Sequence, residues 1–160
     1  MQYPNARILY AEDDADTREV VTVILEGKNY QVIATESAPE ALRLARAEHF
    51  DLYLIDNWMP GVSGVRLCEQ LRQFDQHTPV LFYSGAAYET DRESALASGA
   101  QGYLVKPADG DALIAEVSRL VSDSRRSGSL PTIGENPVSG SRQLISSTVP
   151  TVTVNILNNS

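Results

Sequence analysis

A chain of 160 residues with 42% hydrophobic content is sized for one domain around one core of ordinary volume, and no apolar run approaches the ~20 residues of a membrane span. The net charge of −8 is unevenly spread: residues 125–160 hold three Arg and one Glu, which leaves −10 on residues 1–124. An acidic globular part lacks the basic footprint that direct nucleic-acid binding needs, while basic protein partners stay compatible with it.

The N-terminal stretch Met1–Arg7 has no charged region followed by an apolar one, so no signal peptide is read. Together with the single cysteine, Cys68, this reads as a cytoplasmic protein with a buried thiol. Arg7–Ala11 is the first strand and runs into Glu12-Asp13-Asp14. Asp16-Thr17-Arg18-Glu19 has the capping-box pattern, with Asp16 at the cap. Val20, Val21, Ile24 and Leu25 then recur at helical spacing through about Glu26, where Gly27 and Asn29 stop the helix. Tyr30–Thr35 is the second strand, and Ser37 caps a second helix that continues through Ala47. Leu52–Ile55 is a continuous apolar run into Asp56, the pattern of a strand buried on both faces. The chain turns through Met59-Pro60-Gly61 and restarts after Ser63 as a helix with Val65, Cys68 and Leu71 on its apolar face. Pro79–Ser84 is the fourth strand. A short fourth helix fits between Thr90, with Glu93 three residues on, and Ser98, and Gly99 ends it. Gly102–Pro107 is the fifth strand, and Asp109 caps a last helix carrying Leu113, Val117, Leu120 and Val121.

Five β–α units in strict alternation predict an α/β fold: a parallel sheet with helices on both faces, joined by right-handed crossovers. The composition changes at about Ser124. Residues 125–160 are rich in Ser, Thr, Asn, Gly and Pro and read as a disordered tail. Within it, Thr151–Leu157 alternates in strand fashion and is a candidate for addition to a sheet edge.

Four of the five apolar runs end abruptly in polar residues: Glu12-Asp13, Asp56, Ser84 and Lys106. In a parallel sheet these ends lie along one edge, where open α/β sheets bind their ligands. Each alone is an ordinary turn residue or cap; all of them in place together point to a site. Three clustered carboxylates repel one another unless a cation joins them. Oxygen-only donors suit a hard ion such as Mg²⁺, and there is no Cys/His cluster for zinc. A carboxylate facing such an ion is a competent nucleophile toward a phosphoryl group, and Lys106 would neutralise charge on the transferring oxygens.

With these residues assembled, the chain resembles the response regulator receiver domains of two-component signalling. The resemblance is carried by Ile8–Asp14, Asp56 with Met59–Gly64, Ser84-Gly85-Ala86, Gly99–Tyr103 and Lys106-Pro107. It covers about residues 6–122 and implies a receiver domain over residues 6–124, followed by the tail at 125–160. The implied fold is a flavodoxin-like (βα)5 three-layer sandwich with a five-stranded parallel sheet of order 2-1-3-4-5. Asp56 is then the phosphoacceptor. Asp13 and Asp56, with the Trp58 backbone carbonyl, ligate Mg²⁺ (or Mn²⁺), and Glu12 does so through water. Ser84 and Lys106 contact the phosphoryl group, Ser84 and Tyr103 form the switch, and the Lys106–Pro107 bond is cis. The implied partners are a sensor histidine kinase or phosphotransfer protein, and a downstream protein or a second copy of the chain. Neither nucleic acid nor membrane is an expected partner.

Tyr10-Ala11 stands where an aliphatic pair is usual, and the switch hydroxyl is Ser rather than Thr. No effector domain is recognised after residue 124, so the expectation is a single-domain regulator that signals through protein contacts of the fourth helix, fifth strand and fifth helix. It is a phosphoacceptor rather than an enzyme, with weak autophosphatase activity at most. Two alternatives stay open on sequence: a Mg²⁺-dependent phosphohydrolase, for which a cap is missing, and an unphosphorylated receiver-like interaction module, which typically lacks one of the acidic or lysine positions present here.

Overall fold

The computed structural model describes residues 2–134, with side chains through residue 127. Five strands alternate with five helices: β1 (Arg7–Ala11), α1 (Ala15–Glu26), β2 (Gln31–Thr35), α2 (Ala38–Ala47), β3 (Leu52–Ile55), α3 (Gly64–Arg72), β4 (Val80–Ser84), α4 (Glu89–Ala97), β5 (Gly102–Val105) and α5 (Gly110–Gly134). All strand pairs are parallel and the order is β2-β1-β3-β4-β5. This is the flavodoxin-like arrangement. The continuous apolar runs of β3 and β4 are buried at every position, as strands covered on both faces must be. The edge strand β2 is buried only at Val32 and Thr35.

Successive residues of a strand face opposite sides of the sheet, and here they divide the core in two. Leu9, Ala11, Tyr53, Ile55, Phe82 and Tyr103 pack with residues of α2, α3 and α4. Ile8, Tyr10, Leu54, Leu81 and Tyr83 pack with Val21 and Leu25 of α1 and with Leu113, Val117 and Leu120 of α5. The result is three layers, and the expected buried thiol of Cys68 lies in the first core.

Two helix caps, Ser37 and Asp109, are those the sequence predicts, and Ser63 caps the helix that restarts after it. Ser37 accepts from Glu40 N, Ser63 from Arg66 N and Asp109 from Ala112 N. Two starts differ. α1 is capped by Asp14 rather than Asp16: Asp14 has extended backbone (φ −75°, ψ 116°) and accepts from Thr17 N at 2.8 Å, whereas Asp16 lies inside the first turn. α4 begins at Glu89, so Thr90 is already helical, and Asp91 reaches back to accept from Tyr88 N. The last helix passes Ser124 and is described to Gly134. The chain separates into units Met1–Ser124 and Arg125–Ser160. The strand-like segment Thr151–Leu157 lies outside the described residues. Among the described residues no helix is long and apolar enough to cross a membrane.

Candidate functional site

Register decides what meets at the carboxyl edge. Ala11 pairs with Ile55, and Asp56 N donates to Ala11 O at 3.0 Å, so Glu12 and Asp56 leave adjacent strands side by side. Ser84 pairs with Val105, and Lys106 N donates to Ser84 O at 2.8 Å, which continues the ladder one residue past β5. The Lys106–Pro107 peptide bond is cis.

Glu12 is 1% exposed and Asp56 4%, while Asp13 faces solvent. One carboxylate oxygen from each lies within 4.8 Å of the other two. Lys106 Nζ donates to Glu12 Oε2 and stands 3.5 Å from Asp56 Oδ1. Glu12 Oε1 accepts from Asp14 N at 3.1 Å, and the buried Tyr10 hydroxyl is 3.5 Å from Glu12 Oε2. Burial raises the Glu12 pKa above the ordinary carboxylate range, although Lys106 opposes the shift. Burial works against the Lys106 charge too, but the hydrogen bond to Glu12 and the negative charges of Asp56 and Glu12 outweigh it and hold its pKa high. The ammonium therefore stays charged at neutral pH.

Asp56 Oδ1 is buried and makes no hydrogen bond. A buried polar atom in that condition is costly, and the ion-pair contact with Lys106 at 3.5 Å is a long one. The oxygen is thus left available to a cation or an electrophile. The donor set around it contains only oxygens, the preference of a hard divalent ion that keeps part of its water shell. The residues present fit Mg²⁺ on chemistry and spacing.

Ser84 is fully buried, and its Oγ accepts from Ala86 N at 3.3 Å. Tyr103 is buried as well: its ring stacks on Phe82 with centroids 5.9 Å apart, and its hydroxyl donates to Ala86 O at 2.6 Å. Ser84 and Tyr103 therefore hold the same residue from its two backbone ends. Trp58 lies in the β3–α3 loop, two residues past Asp56, and is 66% exposed.

Three further residues shape the site, and two of them, Arg18 and Asn57, are not singled out for it in sequence. Arg18 Nη1 donates to the carbonyls of Glu12 at 2.7 Å and Asp13 at 3.2 Å, tying down the acidic loop. Asn57 accepts from Gly64 N through its carbonyl and from Val65 N through its side chain, both at 3.1 Å. Gly64 closes that loop from the helix side. A Cβ there would lie 2.5 Å from Asp56 O and 2.8 Å from Asn57 Cα, so only glycine permits the approach. Motif spacing flags Gly64; nothing in the sequence flags the reach of Arg18.

A family model, the response regulator receiver domain, matches residues 8–118. The chain is 29% identical over 119 residues to the cell cycle transcriptional regulator CtrA of Caulobacter vibrioides, which covers 74% of this chain and 52% of that one. It is 30% identical over 133 residues to the regulatory protein VanR of Enterococcus faecium, covering 82% and 57%. The chain spans about half the length of these relatives. Among solved structures, the Francisella response regulator 1452 receiver domain is similar at 29% identity and a TM-score of 0.71, covering 75% of this chain and 99% of that one. The receiver domain of a sensor histidine kinase from Pseudomonas aeruginosa has a magnesium ion coordinated in its active-site cleft. It matches at 25% identity and a TM-score of 0.69, over 73% and 98%.

Proposed function

The chain belongs to the response regulator receiver domain family, and from that premise we propose that it accepts a phosphoryl group on Asp56 in a reaction that requires Mg²⁺, or Mn²⁺ in its place. The observation that carries this reading is the buried Asp56 Oδ1 without a hydrogen bond, set among two further carboxylates and one ammonium. Asp13, Asp56 and the Trp58 carbonyl would hold the ion, with Glu12 acting through water. Bound there, the ion supplies positive charge to the transferring oxygens.

The chain's own residues do the rest. An Asp56 carboxylate oxygen attacks phosphorus, the bond to the donor's leaving group breaks, and an acyl phosphate remains on Asp56. Lys106 turns its ammonium from Glu12 toward the new phosphoryl oxygens, and Ser84 donates its hydroxyl proton to another. The donor is a sensor histidine kinase or a phosphotransfer protein. This is signalling chemistry rather than the turnover of a classical enzyme, with at most weak hydrolysis of the acyl phosphate. The output is protein contact through α4, β5 and α5, with a downstream protein or a second copy of the chain. The exposed apolar side chains Tyr88, Leu96 and Val105 on that side support it. Incubation with acetyl phosphate in Mg²⁺ should give a singly phosphorylated species by intact mass, and a chelator should abolish it. Undiminished labelling in the chelator would overturn the metal dependence.

A further inference from the structure

Strand β4 delivers two consecutive side chains to opposite faces of the sheet. Ser84 is at the site directly. Tyr83 turns into the other core, against Tyr10, Leu81 and Leu113. Its contacts nevertheless converge on the ammonium of Lys106. Lys106 Nζ stands 5.6 Å from the centroid of the Tyr83 ring, within the range in which an ammonium is attracted to a π face. The Tyr83 hydroxyl lies 3.3 Å from Ala108 N, from which it accepts, and 3.4 Å from Ala108 O, to which it donates. One buried side chain, 6% exposed, thus touches both the tip of Lys106 and the backbone two residues beyond it.

Lysine needs such help. Its ammonium rides on a flexible four-carbon stem and is strongly hydrated, and the Lys106 side chain is 21% exposed, so a way out to water is open. Glu12 holds the ammonium from one side and the Tyr83 ring lies on another. When the ammonium leaves Glu12 for a phosphoryl oxygen, the ring and the anchored Ala108 backbone are the contacts that do not have to change.

We infer that Tyr83 is a positioning residue for Lys106: its ring keeps the ammonium over the Asp56 carboxylate, and its hydroxyl fixes the chain that carries it. The inference rests on the proposed phosphoacceptor function and adds a residue that no motif of the sequence contains. It also gives the site a second connection into the fold. Ser84 links it to Tyr103 and the α4 side, while Tyr83 links it to the core shared by α1 and α5.

Beryllofluoride, a phosphoryl mimic, tests this at saturating Mg²⁺ with the single tryptophan, Trp58, as fluorescent reporter. Tyr83→Leu removes both handles and should weaken beryllofluoride binding about tenfold, the scale of a partly desolvated cation–π contact. Mg²⁺ affinity, read from Trp58 without beryllofluoride, should stay within about twofold, because Tyr83 touches none of the proposed ligands. Tyr83→Phe keeps the ring and should restore most of the loss. Tyr83→Met, which fills the space without a π face, replaces the leucine variant if that one does not fold. Beryllofluoride affinity equal to wild type in the ring-less variant overturns the inference. So do parallel losses of Mg²⁺ and beryllofluoride binding, which mark a general disturbance. A wild type that binds Mg²⁺ but no beryllofluoride removes the phosphoacceptor reading instead, and this inference with it.

Discussion

Lys106 is the one cation among buried carboxylates, donating to Glu12 and standing 3.5 Å from Asp56 Oδ1. Lys106→Ala leaves both acids without it. Breaking a fully buried pair costs ~3–5 kcal/mol; with the lysine side chain 21% exposed, about 1–3 kcal/mol is expected. The sign of the pH dependence follows from Glu12. Burial already raises its pKa, and loss of the ammonium raises it further. An acid whose folded pKa lies above its unfolded value destabilises the fold where both states are ionised, and this penalty fades as pH falls through the folded pKa. The variant's deficit should therefore be largest at neutral pH and shrink toward the ordinary glutamate range, as urea titrations at several pH values would show. Added Mg²⁺ should recover part of it at pH 7. A deficit independent of both pH and Mg²⁺ would count against this electrostatic account.

At the level of elements, the start of α3 and the end of β3 are built as one piece. Gly64 lets the helix approach the Asp56–Asn57 backbone, and Ser63 and Asn57 cap and tie the junction. Gly64→Ala forces a shift of backbone against backbone. It should cost about 1–3 kcal/mol and change Trp58 emission as the loop moves. A variant as stable as wild type, with unchanged emission, would contradict the close approach. The same elements show what was legible in sequence. Leu52–Ile55 and Pro79–Ser84 read as strands because a strand covered on both faces leaves an unbroken apolar run. Glu12, Asp13, Asp56 and Lys106 read as a cluster because parallel strands bring their ends to one edge. The cap of α1 was not legible, since Asp14 and Asp16 are chemically equivalent choices and backbone dihedrals decide between them. The start of α4 was hidden because Tyr88 is not a capping residue type. The contacts of Arg18, Tyr10 and Tyr83 depend on long side chains reaching across elements, which spacing along a chain does not encode.

Across the whole molecule, the proposed switch would run from one edge of the sheet through Ala86 to Tyr103 of β5. Ser84 Oγ and the Tyr103 hydroxyl bind the two backbone ends of Ala86. If Ser84 turns to a phosphoryl oxygen, the Ala86 contact to Tyr103 is disturbed, and the stacked pair with Phe82 is free to adopt a second arrangement. Beryllofluoride should then shift amide resonances across residues 88–115 and change the Tyr103 ring environment. Shifts confined to the loops around Asp13, Asp56 and Lys106 would leave a phosphate carrier without a switch. All of this depends on Asp56 being the residue that carries the phosphoryl group, and one comparison tests that most directly: labelling of wild type and Asp56→Asn with acetyl phosphate in Mg²⁺. The account predicts a hydroxylamine-labile phosphoryl group on the wild type and none on the variant, with both chains folded. Equal labelling of the two would contradict it.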